Sequence, residues 1–190
     1  MDALKQRILS EGRDLGRGIL KVDSFLNHQV DPQLMYDCGK ELAGRFKHLH
    51  VSKVLTAEIS GIGPALMTGL ALGVPVVYAR KHKPVTMPDM VYLVTAPSHT
   101  KGQEVSLMLS PEYIRKGDRV LVVDDFLASG YTIMGLVRLA QAAGAIVVGV
   151  GAIIEKSFEG GRESLQELGV PIEALAIVTG MRDGEIILAE

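Results

Sequence analysis

The chain has 190 residues, 47% of them hydrophobic and 22% charged, with a formal net charge of −2. That length suits one domain with a full core, and near-neutral charge gives no support to nucleic-acid or membrane binding. A single cysteine, Cys38, rules out an intrachain disulfide and suits the reducing cytoplasm, and neither a secretory signal nor an apolar run long enough for a bilayer is visible.

Asp2 to about Gly12 places Leu4 and Ile8 among charged residues and predicts a short surface helix. Gly12, Gly16 and Gly18 then loosen the chain, and residues 19–30 read as an extended segment with imperfect alternation. Asp31-Pro32 is a helix start, an N-cap followed by proline at the first position. Met35, Cys38, Leu42 and Phe46 follow on one face, which makes Cys38 a core residue rather than a nucleophile.

From Lys53 strands and helices alternate: a strand over 54–57, a helix from Gly63-Pro64 through Leu72, a strand over 74–79. Residues 80–104 break the pattern with a basic cluster and three prolines, and 91–94 and 105–109 are predicted to pair as strands around this excursion. A long insertion in a compact α/β domain is often a functional lid. A buried strand ending at Val123 leads into a helix marked by Ile133, Leu136, Val137 and Ala140. An apolar strand over 146–154, a short helix over 161–168 and a strand over 172–178 finish the chain. This order predicts one α/β domain over 1–190, a mainly parallel central sheet flanked by helices.

The chemistry concentrates after the strand at 120–123. Asp124 and Asp125 stand at its carboxyl end, where ligands of open α/β sheets bind. The turn Ala128-Ser129-Gly130-Tyr131-Thr132 brings backbone N–H groups to a helix start, a setting that favours a phosphate. Two adjacent carboxylates suit vicinal hydroxyls, or Mg²⁺ held directly or through water. A phosphate beside a diol describes a sugar phosphate.

The run from Leu121 to Thr132 resembles the phosphoribosyl-pyrophosphate (PRPP) signature of the type I phosphoribosyltransferases. The resemblance implies that fold with a small hood, PRPP as co-substrate, and Mg²⁺ carried by PRPP near Asp124 and Asp125 without a dedicated protein metal site. Glu58-Ile59-Ser60-Gly61 lies at another strand-to-helix junction, and its glycines can offer amides to a pyrophosphate. The Gly61-Ile62-Gly63 spacing has Leu66 where a dinucleotide fingerprint needs its third glycine, and no P-loop occurs. In the family a loop like this one contacts pyrophosphate, sometimes through a non-proline cis peptide. Arg80 and Lys81 stand at a strand end where cations would stabilise leaving pyrophosphate. Ser98 to Gly102 resembles the family's closing catalytic loop, with Lys101 as its cation.

Lys156 ends the next strand and can donate to a carbonyl oxygen of an oxopurine. With the N-terminal stretch, it extends the resemblance along nearly the whole chain to bacterial xanthine phosphoribosyltransferases. That likeness implies purine contacts from Leu20, Asn27 and Lys156, and 5-phosphate contacts from Ala128 to Thr132. It implies a hood from about residues 1–35 with part of the C-terminal region, a cytoplasmic homodimer, and purine salvage giving xanthosine 5′-phosphate. Hypoxanthine–guanine enzymes carry an aspartate where Ala128 stands, so the purine proton has no carboxylate acceptor there. Guanine or hypoxanthine as substrate, and a non-catalytic PRPP-sensing transcriptional regulator, remain the rival readings.

Overall fold

The computed structural model describes residues 1–97 and 104–189. Helix α1 (Asp2–Glu11) is less superficial than its sequence suggests: Leu4 and Ile8 are fully buried. The Met1 ammonium donates to Leu175 O at 3.0 Å and Lys5 Nζ to Ala189 O at 2.8 Å, which ties the helix to the C-terminal strands.

The segment expected to be extended is mostly not. Strands β1 (Arg13–Asp14) and β2 (Leu20–Lys21) form a minimal antiparallel pair, and Asp23–Asn27 then winds into a π-helical turn. Val22, Phe25 and Leu26 explain the difference. They stand at i, i+3 and i+4, the spacing of a helix face, and all three are buried. The expected cap does form: the Asp31 carboxylate accepts from the Gln33 and Leu34 amides, both at 3.1 Å, at the start of α2 (Pro32–Phe46). Met35, Cys38, Leu42 and Phe46 are all buried along its inner face.

Strand β3 (Lys53–Ala57), helix α3 (Ile62–Leu72) and strand β4 (Val76–Ala79) make the first crossover. The excursion that follows carries the antiparallel hairpin of β5 (Tyr92–Pro97) and β6 (Glu104–Leu109), pairing as expected and bridged to the end of β4 through Arg80 and Met108. Strand β7 (Arg119–Leu127), helix α4 (Tyr131–Ala142), strand β8 (Ile146–Lys156), helix α5 (Gly161–Leu165) and strand β9 (Ile172–Arg182) complete the alternation. Like the short β1, the strand β10 (Glu185–Leu188) was not anticipated; it returns antiparallel beside β9. Its turn is Asp183-Gly184, both with positive φ (50° and 84°), the two-residue link that matches strand twist.

The six strands run in the order β10-β9-β8-β7-β3-β4, parallel except for β10. One apolar cluster lies with α1 and α2 on one face, and a second lies with α4 and the hairpin on the other. No helix among the described residues is long and apolar enough to cross a membrane.

The crossover after β3 leads one way along the sheet and the crossover after β7 the other. The order therefore reverses between these two neighbours, where open α/β sheets leave a crevice. Their pairing stops at Leu55 with Val122, whereas β3 stays with β4 as far as Ala57 with Ala79. The ends of β3 and β7 are thus free to hold other groups.

Candidate active site

A cavity of about 470 Å³ opens beyond the carboxyl ends of β7 and β8. Its wall unites three groups singled out in the sequence: Asp124 and Asp125, the turn from Ala128 to Thr132, and the trio Leu20, Asn27 and Lys156. They arrive from separate parts of the chain because β7 and β8 are parallel neighbours and the N-terminal turn folds over their ends.

Strand β7 is buried from Val120 through Asp125, so its register carries both acids out of the core with only 6% and 8% of their surfaces exposed. The Asp125 amide donates to Asp124 Oδ1 at 3.0 Å, and Asn27 Nδ2 donates to Asp125 Oδ2 at 3.3 Å. Burial, reinforced by the adjacent Asp125, holds the Asp124 carboxyl well above the ordinary range, and the Lys81 charge opposes this without reversing it. An empty site thus favours neutral Asp124, whereas hydroxyl donors or a cation brought to it favour the carboxylate.

At the turn, Gly130 takes φ +81°, which brings the chain sharply into α4. Among the described residues no side chain caps that helix, so its first amides are available to an anion.

Lys156 occupies the cavity wall, yet it does not extend freely into it. Its ammonium donates to Gly18 O at 2.8 Å, pairs with Glu159, and lies 5.9 Å from the centre of the Phe126 ring. Lys156 therefore also fastens the N-terminal loop to the end of β8. Phe126, which the sequence reading passed over, contributes to the wall beside it.

The pyrophosphate candidates lie next to this cavity, outside its wall. Glu58 accepts from Arg80 Nε at 2.8 Å and from the Lys81 amide at 2.6 Å, so it organises the basic residues rather than presenting its own charge to an anion. The Glu58–Ile59 peptide is cis, and the Ile59 side chain is 78% exposed. Ser60 is half-buried, and Gly61 is buried against Asp124. Lys101 and the rest of the expected closing loop lie outside the described residues.

Residues 60–168 match the phosphoribosyl transferase domain family. The chain is 50% identical over 186 residues to a xanthine phosphoribosyltransferase of Acinetobacter baumannii, covering 98% of this chain and 97% of that one. It is 47% identical to the xanthine phosphoribosyltransferase of Oceanobacillus iheyensis over 190 residues, 100% of this chain and 98% of the other. The chain belongs to the xanthine phosphoribosyltransferase family. An adenine phosphoribosyltransferase structure from Thermoanaerobacter pseudethanolicus also superposes with a TM-score of 0.75 at 25% identity, over 92% of this chain and 98% of that one.

In this phosphoribosyltransferase one positioning residue escaped the sequence reading. Gly161 packs directly behind the turn at 128–130. A Cβ there would stand 2.9 Å from Gly130 N and from Leu127 Cδ1, and closer still to the Ala128 carbonyl oxygen. The signal was the Gly160-Gly161 pair following β8, which reads equally well as loop punctuation.

Proposed function

We propose that the protein transfers the 5-phosphoribosyl group of PRPP to N9 of xanthine, giving xanthosine 5′-phosphate and pyrophosphate in purine salvage. One observation carries this reading: the two aspartates, the amide turn and the trio of Leu20, Asn27 and Lys156 share a single cavity. A diol, a phosphate and a polar heterocycle each find matching groups in it.

Asp124 and Asp125 accept from the ribose hydroxyls, and their negative charge stabilises the cationic ribose as the bond to pyrophosphate loosens. The amides of Ala128, Ser129, Gly130, Tyr131 and Thr132 grip the 5-phosphate. The backbone of Glu58, Ile59, Ser60 and Gly61, with Arg80 and Lys81 ordered by the Glu58 carboxylate, receives the leaving pyrophosphate, and Lys101 adds charge from the closing loop. Asn27 offers donor and acceptor to the oxopurine edge, Lys156 directs its remaining N–H to a ring carbonyl, and Leu20 forms an apolar wall. At Ala128 no carboxylate meets the purine, so positioning and charge supply most of the rate.

The donor set fits a hard cation. Two carboxylates converge at the cavity, and among the described residues no cluster of three or more potential ligands stands anywhere. Asp124 and Asp125 would hold Mg²⁺ together with PRPP oxygens. When bound, the ion neutralises pyrophosphate charge.

The segment of about residues 1–35, with part of the C-terminal region, serves as the hood over the base. The assembly is a cytoplasmic homodimer. Steady-state assays with xanthine, guanine, hypoxanthine and adenine test the reading. Xanthine is expected to give the highest kcat/KM, and a preference for adenine overturns it.

A further inference from the structure

Thr56 stands where β3 parts from β7. Its side chain is fully buried, and its hydroxyl oxygen has no hydrogen-bond partner among the described residues. Burying a hydroxyl without a partner is unfavourable, and valine has nearly the same shape, so packing alone does not call for threonine here. The surroundings supply a reason. A Cβ built on Gly61 would stand 2.6 Å from Asp124 Oδ1 and nearer still to Thr56 Oγ1. The two oxygens therefore both border the position such a Cβ would take and lie no more than about 5 Å apart. A single side-chain rotation spans such a gap.

We propose that Thr56 is a positioning residue for Asp124: its hydroxyl becomes the carboxylate's hydrogen-bond donor when Asp124 engages the ribose hydroxyls of PRPP. In the empty site Asp124 Oδ1 accepts from the neighbouring Asp125 amide at 3.0 Å, and a carboxylate oxygen can accept a second hydrogen bond, so Thr56 can donate to that same oxygen while Oδ2 is left for ligand. Gly61 belongs to the same device, since any side chain there would occupy the space between the two groups. Thr56 acts through Asp124 and touches neither the base nor the phosphate turn.

The inference rests on PRPP as ligand, and its test does not require xanthine. PRPP affinity is measured calorimetrically with Mg²⁺ for the wild type, Thr56→Val and Thr56→Ser, beside melting temperatures. Losing one charge-assisted hydrogen bond predicts about tenfold weaker PRPP binding in Thr56→Val. Thr56→Ser keeps the hydroxyl and is expected within about threefold of the wild type. Thr56→Val is expected to melt no lower than the wild type, and KM for xanthine to stay unchanged. Thr68→Val, which removes another buried hydroxyl bonded to Pro64 O in α3, serves as control and leaves PRPP binding unaltered. Unchanged PRPP affinity in Thr56→Val, or equal losses in Thr56→Val and Thr56→Ser, overturns the inference. Wild-type protein that binds PRPP but does not turn over xanthine overturns the choice of base alone.

Discussion

Gly161→Ala tests whether the phosphate turn is held from behind. Gly161 does not have positive φ, so alanine meets no backbone penalty and the perturbation is purely one of contact. The added methyl would stand 2.9 Å from Gly130 N and nearer to the Ala128 carbonyl oxygen, where ordinary contact begins at about 3.4 Å. Either the turn or the start of α5 must retreat by about 1 Å in a close-packed interior. Overpacking of this kind costs about 1–3 kcal/mol, which in a domain of this size lowers Tm by roughly 2–12 °C. If the turn moves, the amides no longer meet the 5-phosphate, and a misplacement of about 1 Å can cost on the order of a hundredfold in rate. Steady-state kinetics with PRPP and xanthine varied in turn should show kcat/KM for PRPP falling while KM for xanthine stays near the wild-type value. A variant with unaltered PRPP kinetics and a lowered Tm would show that α5 yields and the turn is held by other contacts.

Asp124→Asn should abolish transfer yet raise the melting temperature at neutral pH. The folded carboxyl holds its proton more tightly than the unfolded one, so Asp124 lowers stability as pH rises from the unfolded value of about 3.9 toward its higher folded value. Melting curves of the two proteins should converge below about pH 4, and a variant that melts lower at pH 7 refutes the sign. Arg162 binds the buried Glu155 carboxylate at 2.9 and 2.6 Å, and Arg162→Met should cost about 3 kcal/mol by denaturant unfolding. A further Glu155→Gln change should recover part of that loss, and no recovery would place the damage elsewhere. Burial pushes the Cys38 thiol up to about 12, so a thiol reagent at pH 8 should label it only after unfolding. Rapid labelling of the native protein would contradict its place in the core.

Much of the architecture was legible because one physical signal dominated each element. Pro32 with Asp31, the stripe from Met35 to Phe46, and the apolar run into Asp124 each admit a single structural solution. The N-terminal turn was misread because two periods competed. Residues 19–30 alternate loosely, while Val22, Phe25 and Leu26 carry the helical spacing that burial selects. Strand β10 was missed although Asp183-Gly184 is a strong hairpin signal, because the charged residues Arg182, Asp183 and Glu185 obscure the short strand beside it. At the site, Asp124, Asp125 and the turn after them could be found from sequence since they are contiguous and obey strand-then-helix logic. Gly161 and Thr56 could not, because their significance lies in what approaches them through space. Lys156 was placed correctly at the strand end, but its tie to Gly18 O depends on a loop 138 residues away in the chain.

The features hardest to read share an energetic character. A carboxyl favoured in its neutral form, a buried hydroxyl without a partner, and two glycines pressed against functional groups all gather near the ends of β3, β7 and β8. The first two weaken the empty fold by comparison with an apolar replacement, whereas the glycines are the residues that let those groups approach so closely. A ligand bringing hydroxyl donors and a cation to the aspartates reverses the first two effects at once. A ligand that binds only the folded form at a hundred times its Kd adds about 2.7 kcal/mol of stability by mass action alone. The site is therefore built for its occupied state, which is why the same residues look unfavourable when the chain is considered without ligand. The sheet and its helices are shared with an adenine enzyme at 25% identity. Base choice must then arise from groups laid over this common frame, and the proposed function assigns it to the N-terminal turn and the lysine that fastens it.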